Sequence, residues 1–202
     1  MKDNKLTEEQ INANYLRYIQ ATEKYGCYSE SMFAAIGDKI KYGTYNTSTE
    51  YGGCYKGALL DVTLKVLCTN GVNINEGGFG KSMMNGKYKN DVLYCNNQKL
   101  MKVLLLSNIS KAVIFVPESD TYWQSRGKLY KFASDDVALM LGQHSLYLCQ
   151  QYGIRLEEDE YEAIASIDDK ENKHRYRNIL CLEVATAREF TNAYLWKTKE
   201  IK

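Results

Sequence analysis

The stretch that decides the fold is NQKLMKVLLLSNIS, residues 97–110. Its three consecutive leucines, at 104–106, are too apolar for a solvent-facing surface. Because the stretch is also longer than an ordinary β-strand, it predicts a buried central helix. Segments on both sides of it place apolar residues at the spacing of one helix face. These further predicted helices cover residues 7–24, 29–40, 56–70, 139–152 (or from 134), 157–167 and 176–196.

Local signals indicate where several of these elements begin and end. Thr7-Glu8-Glu9-Gln10 has the pattern of a capping box, in which two side chains satisfy free backbone N–H groups of the first turn. Gly71 predicts the end of the third helix. Residues 41–54 and 71–90 are rich in glycine and asparagine, which is typical of loops. Residues 112–132 predict a short β-ribbon, so the fold class is mostly α with one small ribbon.

The composition limits both the architecture and the function. Of 202 residues, 45% are hydrophobic, which suffices for one core, so we expect one domain over residues 1–202. Lys and Arg number 26 against 25 Asp and Glu, and no nucleic-acid partner is expected of so neutral a chain. Six cysteines without a Cys-x-x-Cys pair predict free, buried thiols in a reducing compartment. No signal peptide and no stretch of ~20 apolar residues is found, so we expect a cytoplasmic protein without membrane contact.

Four short strings, in this order, resemble the HD-domain phosphohydrolases encoded by phages and gut bacteria. The chain reads YGGCYKGA and then LLDVTL, where that family has a loop and a helix that carry histidines. LLSNISK resembles the family's LLHDICK, and LGQHSLYL resembles its GHGEKS helix start. The strings lie at residues 51–58, 59–64, 105–111 and 141–148, and the resemblance spans residues 8–195. It implies a single helical bundle of the HD type.

The same resemblance implies where a metal would be held, and the chain has no metal ligand there. HD enzymes hydrolyse phosphate esters with divalent ions that histidines and an aspartate bind. The family's ligand positions fall here on Gly52, Val62, Ser107, Asn108 and Leu141 and, with the loosest alignment, near Ile167 and Thr186. The two histidines, His144 and His174, have no acidic partner at ligand spacing. We therefore expect neither metal nor cofactor, and no catalysis.

The polar and basic residues that surround these positions suit a nucleotide-type small molecule. Lysine and arginine neutralise phosphates without a metal, and tyrosine or tryptophan rings stack on bases. The predicted ligand-binding residues are Tyr55, Lys56, Thr63, Ser107, Asn108, Lys111, Trp123, Arg126, Tyr130, Lys131 and His144. If the chain is phage-encoded, as its look-alikes are, the ligand would be a nucleotide second messenger of bacterial immunity. The protein would then act as a sponge for that signal.

Two other functions stay open at this point. In the first, Val62, Leu141 and Ile167 pack on one another and close the cavity. The protein would then be a scaffold whose loops, 41–55 and 71–90, contact a partner protein. In the second, the alignment is wrong and the protein is an active hydrolase. The sequence also leaves the formation of a homo-oligomer open.

Overall fold

The protein is mostly helical and has one small antiparallel sheet, as the sequence predicts. The computed structural model describes residues 6–75, 98–133, 139–168 and 178–197. The helices are α1 (Glu8–Lys24), α2 (Glu30–Tyr42), α3 (Ala58–Asn75), α4 (Gln98–Leu106), α5 (Lys111–Ile114), α6 (Thr121–Ser125), α7 (Leu141–Gln151), α8 (Glu158–Ala165) and α9 (Ile179–Lys197). The strands are β1 (Phe115–Pro117) and β2 (Tyr130–Phe132), and single 3₁₀ turns lie at Thr49–Tyr51 and Ser166–Asp168.

Helix α4 is the predicted central helix, but it ends at Leu106 and not at Ser110 as predicted, because residues 107–110 form a turn. Helices α1, α3, α8 and α9 pack against it. Its buried side chains are Leu100, Met101, Val103, Leu104, Leu105 and Leu106. Tyr18 of α1 is buried as well, and its hydroxyl donates a hydrogen bond to the carbonyl oxygen of Leu105 at 2.9 Å. A helix of 9 residues is too short to be stable by itself in water. Packing of its apolar side chains therefore stabilises α4.

The predicted helix ends are confirmed at α1 and wrong at α3. The hydroxyl of Thr7 accepts a hydrogen bond from the Gln10 N–H at 3.2 Å, and the Gln10 side chain accepts one from the Thr7 N–H at 2.9 Å. Helix α3, in contrast, runs through Gly71 to Asn75. A glycine inside a helix costs only about 1 kcal/mol relative to alanine, so it weakens a helix without ending it. The rest of the predicted loop, residues 76–90, lies outside the described residues.

The β-ribbon is confirmed but is smaller than predicted. Strands β1 and β2 pair antiparallel with Phe115 opposite Phe132 and Pro117 opposite Tyr130. Between the strands, Asp120 accepts a hydrogen bond from the Tyr122 N–H at 2.9 Å and so caps the short helix α6. The remainder of the predicted ribbon thus forms α5, α6 and their connections, because this local cap favours a helical turn over continued pairing.

The predicted loop that follows α2 is tied to both the helices and the ribbon. We call residues 43–54 the connecting loop. Its Tyr45 N–H donates to the Gly53 carbonyl at 3.0 Å, and its Thr49 N–H donates to the Gly127 carbonyl at 2.9 Å. Gly127 has a φ of +79°, and a Cβ there would collide with the Thr49 hydroxyl. A glycine is therefore required where the connecting loop meets the ribbon.

Two further predictions, on the cysteines and on membrane spans, can be compared with the described residues. Cys27, Cys54, Cys149 and Cys181 are free and buried, as predicted. Burial raises the pKa of Cys27 and of Cys149 to about 12, so both thiols are protonated and poorly nucleophilic near neutral pH. Among the described residues, no helix has the length and apolarity that a membrane crossing requires.

Candidate ligand-binding site

The central helix ends in a turn that is both polar and buried. Residues 107–111, SNISK, follow α4 directly and lead into α5. We call them the buried polar turn, because Ser107, Asn108, Ser110 and Lys111 are each exposed by 5% or less. Buried polar atoms are normally hydrogen-bonded. The partners of these side chains therefore decide whether the turn is a structural element or a binding site.

Helix α7 holds the buried polar turn through one hydroxyl. The Ser110 N–H donates to the Ser145 hydroxyl at 3.3 Å, and this hydroxyl donates to the Ser107 carbonyl at 3.2 Å. One helical turn earlier, the Gly142 N–H donates to a carboxylate oxygen of Asp168 at 2.6 Å. Residues three apart on a helix lie on the same face. The buried polar turn and Asp168 therefore lie against one face of α7.

Lys111 is the buried cation of this region. Its ammonium nitrogen donates to the Tyr45 carbonyl at 3.0 Å and lies 3.5 Å from the centre of the Tyr45 ring. The pKa of Lys111 is lowered to about 7, mainly by burial and also by the positive charge of Arg188, while the negative charge of Asp168 acts in the opposite direction. The charges of Asp168 on the second 3₁₀ turn and of Arg188 on α9 thus both influence the pKa of Lys111 on α5. We call Asn108, Lys111, Asp168 and Arg188 the cationic cluster.

Buried polar atoms without a partner concentrate in the same region. Among the described residues, the buried side-chain atoms that lack a hydrogen-bond partner are Asn108 Oδ1, Ser110 Oγ, His144 Nδ1 and Arg188 Nη1. The other end of the Asn108 amide is used, because its nitrogen donates to the Ser107 hydroxyl at 3.2 Å. Each unsatisfied buried group costs about 1–3 kcal/mol. Asn108 and Ser110 belong to the buried polar turn, and Arg188 belongs to the cationic cluster.

The positions that the HD resemblance assigned to metal ligands are distributed between the core and this region. Val62 is a buried core residue, and Ile167 packs against the same core. A Cβ on Gly142, which follows Leu141, would come within 2.8 Å of the Ile167 side chain. The start of α7 and the second 3₁₀ turn are thus in close contact. Thr186, however, donates its hydroxyl to the Leu182 carbonyl of its own helix at 2.8 Å.

Within the described ranges, no group of three or more His, Cys, Asp or Glu side chains could hold a metal ion. His174 and the segment around it, residues 169–177, lie outside those ranges. His144 is partly buried, and this burial lowers its pKa. Its ring meets the Tyr147 ring edge to face, with the centroids 6.0 Å apart. His144, which is the histidine within the described residues, therefore packs against an aromatic neighbour.

Tyr55 and Thr63, two further predicted site residues, lie on or beside α3. The Tyr55 hydroxyl donates to an Asp61 carboxylate oxygen at 2.5 Å, and the same oxygen accepts from Lys65 at 2.7 Å. Burial, followed by the hydrogen bond to Asp61, raises the pKa of Tyr55. Thr63 is buried within α3. Tyr55 is thus part of a separate hydrogen-bonded group that fixes the start of α3.

Lys56 faces away from the interior, although the sequence placed it in the site. It forms an exposed ion pair with Glu8 of α1 at 2.6 Å. Its ammonium nitrogen also lies 4.2 Å from the centre of the Tyr42 ring. The exposure of this group and its two partners on α1 and α2 give Lys56 a surface position. An exposed pair of this kind contributes little to stability.

The ribbon residues of the predicted site engage other residues of the ribbon. The cations and their partners are Lys128 over the Trp123 ring at 3.9 Å, Arg126 over the Tyr122 ring at 4.5 Å, and Lys131 beside Glu118 at 3.2 Å. Tyr130 is partly buried, and burial raises its pKa. Trp123, Arg126 and Lys131 are exposed. The described contacts therefore group these residues on the ribbon surface, while Ser107, Asn108 and Lys111 group in the interior.

Sequence reasoning missed four residues that complete the interior group, Tyr45, Ser145, Asp168 and Arg188. Two of them stood close to positions that the alignment had marked, since Asp168 follows Ile167 and Arg188 lies two residues after Thr186 on α9. A charged residue beside a marked position was the available signal. Comparison with known proteins adds no relative, because no protein-family model, curated protein or solved structure matches this chain.

Proposed function

We propose that this protein is a non-catalytic relative of the HD-domain phosphohydrolases and that it binds and sequesters a small nucleotide-type molecule at the cationic cluster. One observation carries the proposal. Lys111 is a buried cation whose described hydrogen bond goes to a neutral carbonyl, and a donor on Arg188 and an acceptor on Asn108 have no described partner. A site with these unused groups is suited to a polar anion.

The energetics favour an anionic ligand over an empty site. A buried charge that is not neutralised is strongly unfavourable. When Lys111 is protonated, the cationic cluster holds two positive charges and one negative charge. A phosphate group would supply the missing negative charge and accept charge-assisted hydrogen bonds. Ligand binding would thereby convert an unfavourable arrangement into a favourable one.

Binding without hydrolysis follows from the residues at the former metal positions. Val62 and Ile167 are aliphatic, and Ser107 and Asn108 offer neither an imidazole nor a carboxylate. Without a metal-bound water, phosphate esters lack the usual nucleophile of this chemistry. In a phage-encoded protein, this property would suit a sponge that removes a nucleotide second messenger of bacterial immunity.

A thermal-shift screen tests the proposal directly. The panel contains cyclic mononucleotides, cyclic dinucleotides, AMP and ADP-ribose. A ligand at 100 times its dissociation constant stabilises a fold by about 2.7 kcal/mol, which gives a measurable rise in melting temperature. We expect such a rise with at least one nucleotide, and chromatography should recover that nucleotide intact. No rise with any nucleotide, or consumption of the ligand, would contradict the proposal.

A second candidate function is an interaction scaffold, and the ribbon surface favours it. The Tyr122 and Trp123 rings are in edge-to-face contact and are exposed by 53% and 38%, and exposed aromatic groups that lie together often mark interaction sites. Val62 is buried in the core and Ile167 is partly buried against it, which agrees with this alternative too. A scaffold would show no nucleotide-dependent shift. Self-association measured by light scattering, and lost on Trp123→Ser, would identify a second copy as its partner.

A further inference from the structure

We infer that the segment between the two ribbon strands binds single-stranded nucleic acid, with aromatic rings for the bases and cations for the phosphates. The residues that carry this activity are Tyr122, Trp123, Arg126 and Lys128, which we call the ribbon platform. The platform shares no residue with the cationic cluster, and its ligand is a polymer. This activity is therefore additional to the proposed function.

The side chains of the ribbon platform form one connected group. The Tyr122 and Trp123 rings meet edge to face, with their centroids 5.2 Å apart. The Lys128 ammonium nitrogen lies 3.9 Å from the centre of the Trp123 ring. The guanidinium carbon of Arg126 lies 4.5 Å from the centre of the Tyr122 ring. Each ring thus has its own cation, and a nucleotide unit offers the matching pair of groups, one base to stack and one phosphate to neutralise.

Backbone hydrogen bonds hold the ribbon platform in this arrangement. The Lys128 N–H donates to the Trp123 carbonyl at 3.0 Å, which fixes the cation and the ring relative to each other. Lys128 also forms a β-bridge with Ser48 of the connecting loop, and the Leu129 N–H donates to the Thr47 carbonyl at 3.1 Å. The platform is therefore anchored outside its own segment. Groups that are ordered before binding lose less entropy when a ligand arrives.

The cations of the ribbon platform are available to an anionic partner. Among the described residues, neither Arg126 nor Lys128 forms an ion pair with a carboxylate. The carboxylates of the same segment have other partners, since Glu118 pairs with Lys131 at 3.2 Å and Asp120 caps α6. The neutral charge of the whole chain predicts no nucleic-acid partner, because a sum over all residues does not show where the cations lie. Charge complementarity therefore favours a polyanion at this surface.

The exposure of the ribbon platform favours a single strand over a free nucleotide or a duplex. Tyr122 and Trp123 are exposed by 53% and 38%, and both cations are exposed as well. Sites for small molecules are concave and bury most of the ligand, whereas an exposed surface contacts a single nucleotide only weakly. A strand adds further phosphate contacts on either side of the stacked base. Bases in a single strand are free to stack on aromatic side chains, and bases within a duplex are not.

Fluorescence titration with several probes tests this inference. The Trp196→Phe variant leaves Trp123 as the remaining one of the 2 tryptophans, so its emission reports on the platform alone. The probes are an oligothymidylate of about twelve nucleotides, a duplex of the same length, dTMP and a polyglutamate peptide. We expect oligothymidylate to quench the emission, because a base stacks on the ring. The other probes should quench it much less at the same concentration.

Matched variants separate the two roles, with anisotropy of a labelled oligothymidylate as the measurement. Trp123→Ala should weaken binding by roughly fivefold to hundredfold, the loss expected for one stacked base, while Trp123→Phe should retain most of the affinity. Arg126→Gln and Lys128→Gln should each lower the slope of log affinity against log salt concentration by about 0.7. Tyr161→Ala on α8 and Lys39→Gln on α2 are the controls, because both side chains are exposed. Neither control should change the affinity or the slope.

The remaining outcomes contradict the inference in distinguishable ways. Equal binding of the duplex would exclude stacking, equal binding of dTMP would exclude a polymer, and equal binding of polyglutamate would exclude selection for nucleic acid. Absence of quenching in a protein that self-associates through Trp123 would assign the platform to a second copy of the chain. If Trp123→Ala does not fold, the salt dependence of Lys128→Gln decides, and a slope equal to that of the wild-type protein would overturn the inference. The thermal-shift screen of the cationic cluster is independent of all these results.

Discussion

The stretch formed by helix α4 and the buried polar turn has an apolar end, α4, and a polar end, the turn. The two ends are both buried but differ in what burial does for them. Residues 100–106 are almost entirely apolar, and their neighbours on α1, α3, α8 and α9 cover them. Residues 107–111 are mostly polar, and two of their side-chain atoms have no described partner. The first region stabilises the fold. The second region weakens it, and a sequence under selection for stability alone would place apolar residues there.

The magnitudes explain this difference. Burial of apolar surface stabilises a protein by about 25 cal/mol for each Å², so every leucine of α4 adds stability. A buried polar group destabilises unless it is paired, and a buried charge does so more strongly. Polar residues kept in such a position are typical of functional sites, where stability is lost in exchange for binding. The following predictions test whether helix α4 and the buried polar turn differ in this way.

The largest effect is expected from the apolar end. Leu105→Ala removes a side chain that is 1% exposed and leaves a cavity in close-packed surroundings. Substitutions of this kind lower the free energy of unfolding by about 2–5 kcal/mol. Urea denaturation measures it. Leu16→Ala on α1 is the matched control, because Leu16 is 61% exposed and its loss should have little effect. Equal losses in both variants would mean that α4 is not central.

The second prediction is a gain in the free energy of unfolding, and it concerns the buried polar turn. Lys111→Met keeps the length of the side chain and removes a buried ammonium group. Replacement of buried charges by apolar residues is often neutral or stabilises by about 1–4 kcal/mol. We expect Lys111→Met to raise the free energy of unfolding at pH 6, whereas Lys39→Met on the surface should not. A clear loss of stability at pH 6 would mean that the ammonium is well compensated in the unliganded protein.

This gain should depend on pH. The folded-state pKa of Lys111 is lowered to about 7, while an unfolded lysine titrates near about 10.4. Between these values the unfolded chain binds more protons, so the wild-type protein becomes more stable as pH rises. The advantage of Lys111→Met should be full below pH ~7 and disappear toward pH ~10. Denaturation of both proteins at several pH values measures the difference. A constant difference would contradict a buried, titrating Lys111.

A smaller loss of stability is expected where the buried polar turn is hydrogen-bonded to α7. Ser145→Ala removes the hydroxyl that accepts from the Ser110 N–H and donates to the Ser107 carbonyl. A buried donor left without a partner costs about 1–3 kcal/mol. Ser125→Ala is the control, since that hydroxyl is exposed and water can replace it. No loss in Ser145→Ala would show that α7 does not anchor the buried polar turn.

The sequence predicted the elements whose signals are local. The leucines of α4 and the capping box at Thr7 act within a few residues, so periodicity and spacing identify them. The end of α3 was wrong because a glycine such as Gly71 is a weak signal. The same limit explains why the ribbon was predicted longer than it is.

The candidate site was predictable only in part, for a related reason. Ser107, Asn108 and Lys111 are neighbours in sequence and were predicted together. Asp168 and Arg188 influence the pKa of Lys111 from other elements of the fold, and their positions depend on how α7, α9 and the second 3₁₀ turn pack. The spacing of residues along the chain does not show how these elements pack against one another. Charges that interact across distant elements therefore became visible only in the folded structure.

The last prediction is that a divalent metal ion changes neither the melting temperature nor the rate of nucleotide hydrolysis. The HD resemblance would place metal ligands at Ser107 and Asn108 in the buried polar turn, and neither side chain brings the charge or imidazole that a catalytic ion needs. Manganese at millimolar concentration should therefore neither raise the melting temperature nor produce hydrolysis of a nucleotide panel. His144→Ala should behave like the wild-type protein in that assay. Manganese-dependent hydrolysis that disappears in His144→Ala would show instead that a different set of ligands, including this histidine, forms a working metal site.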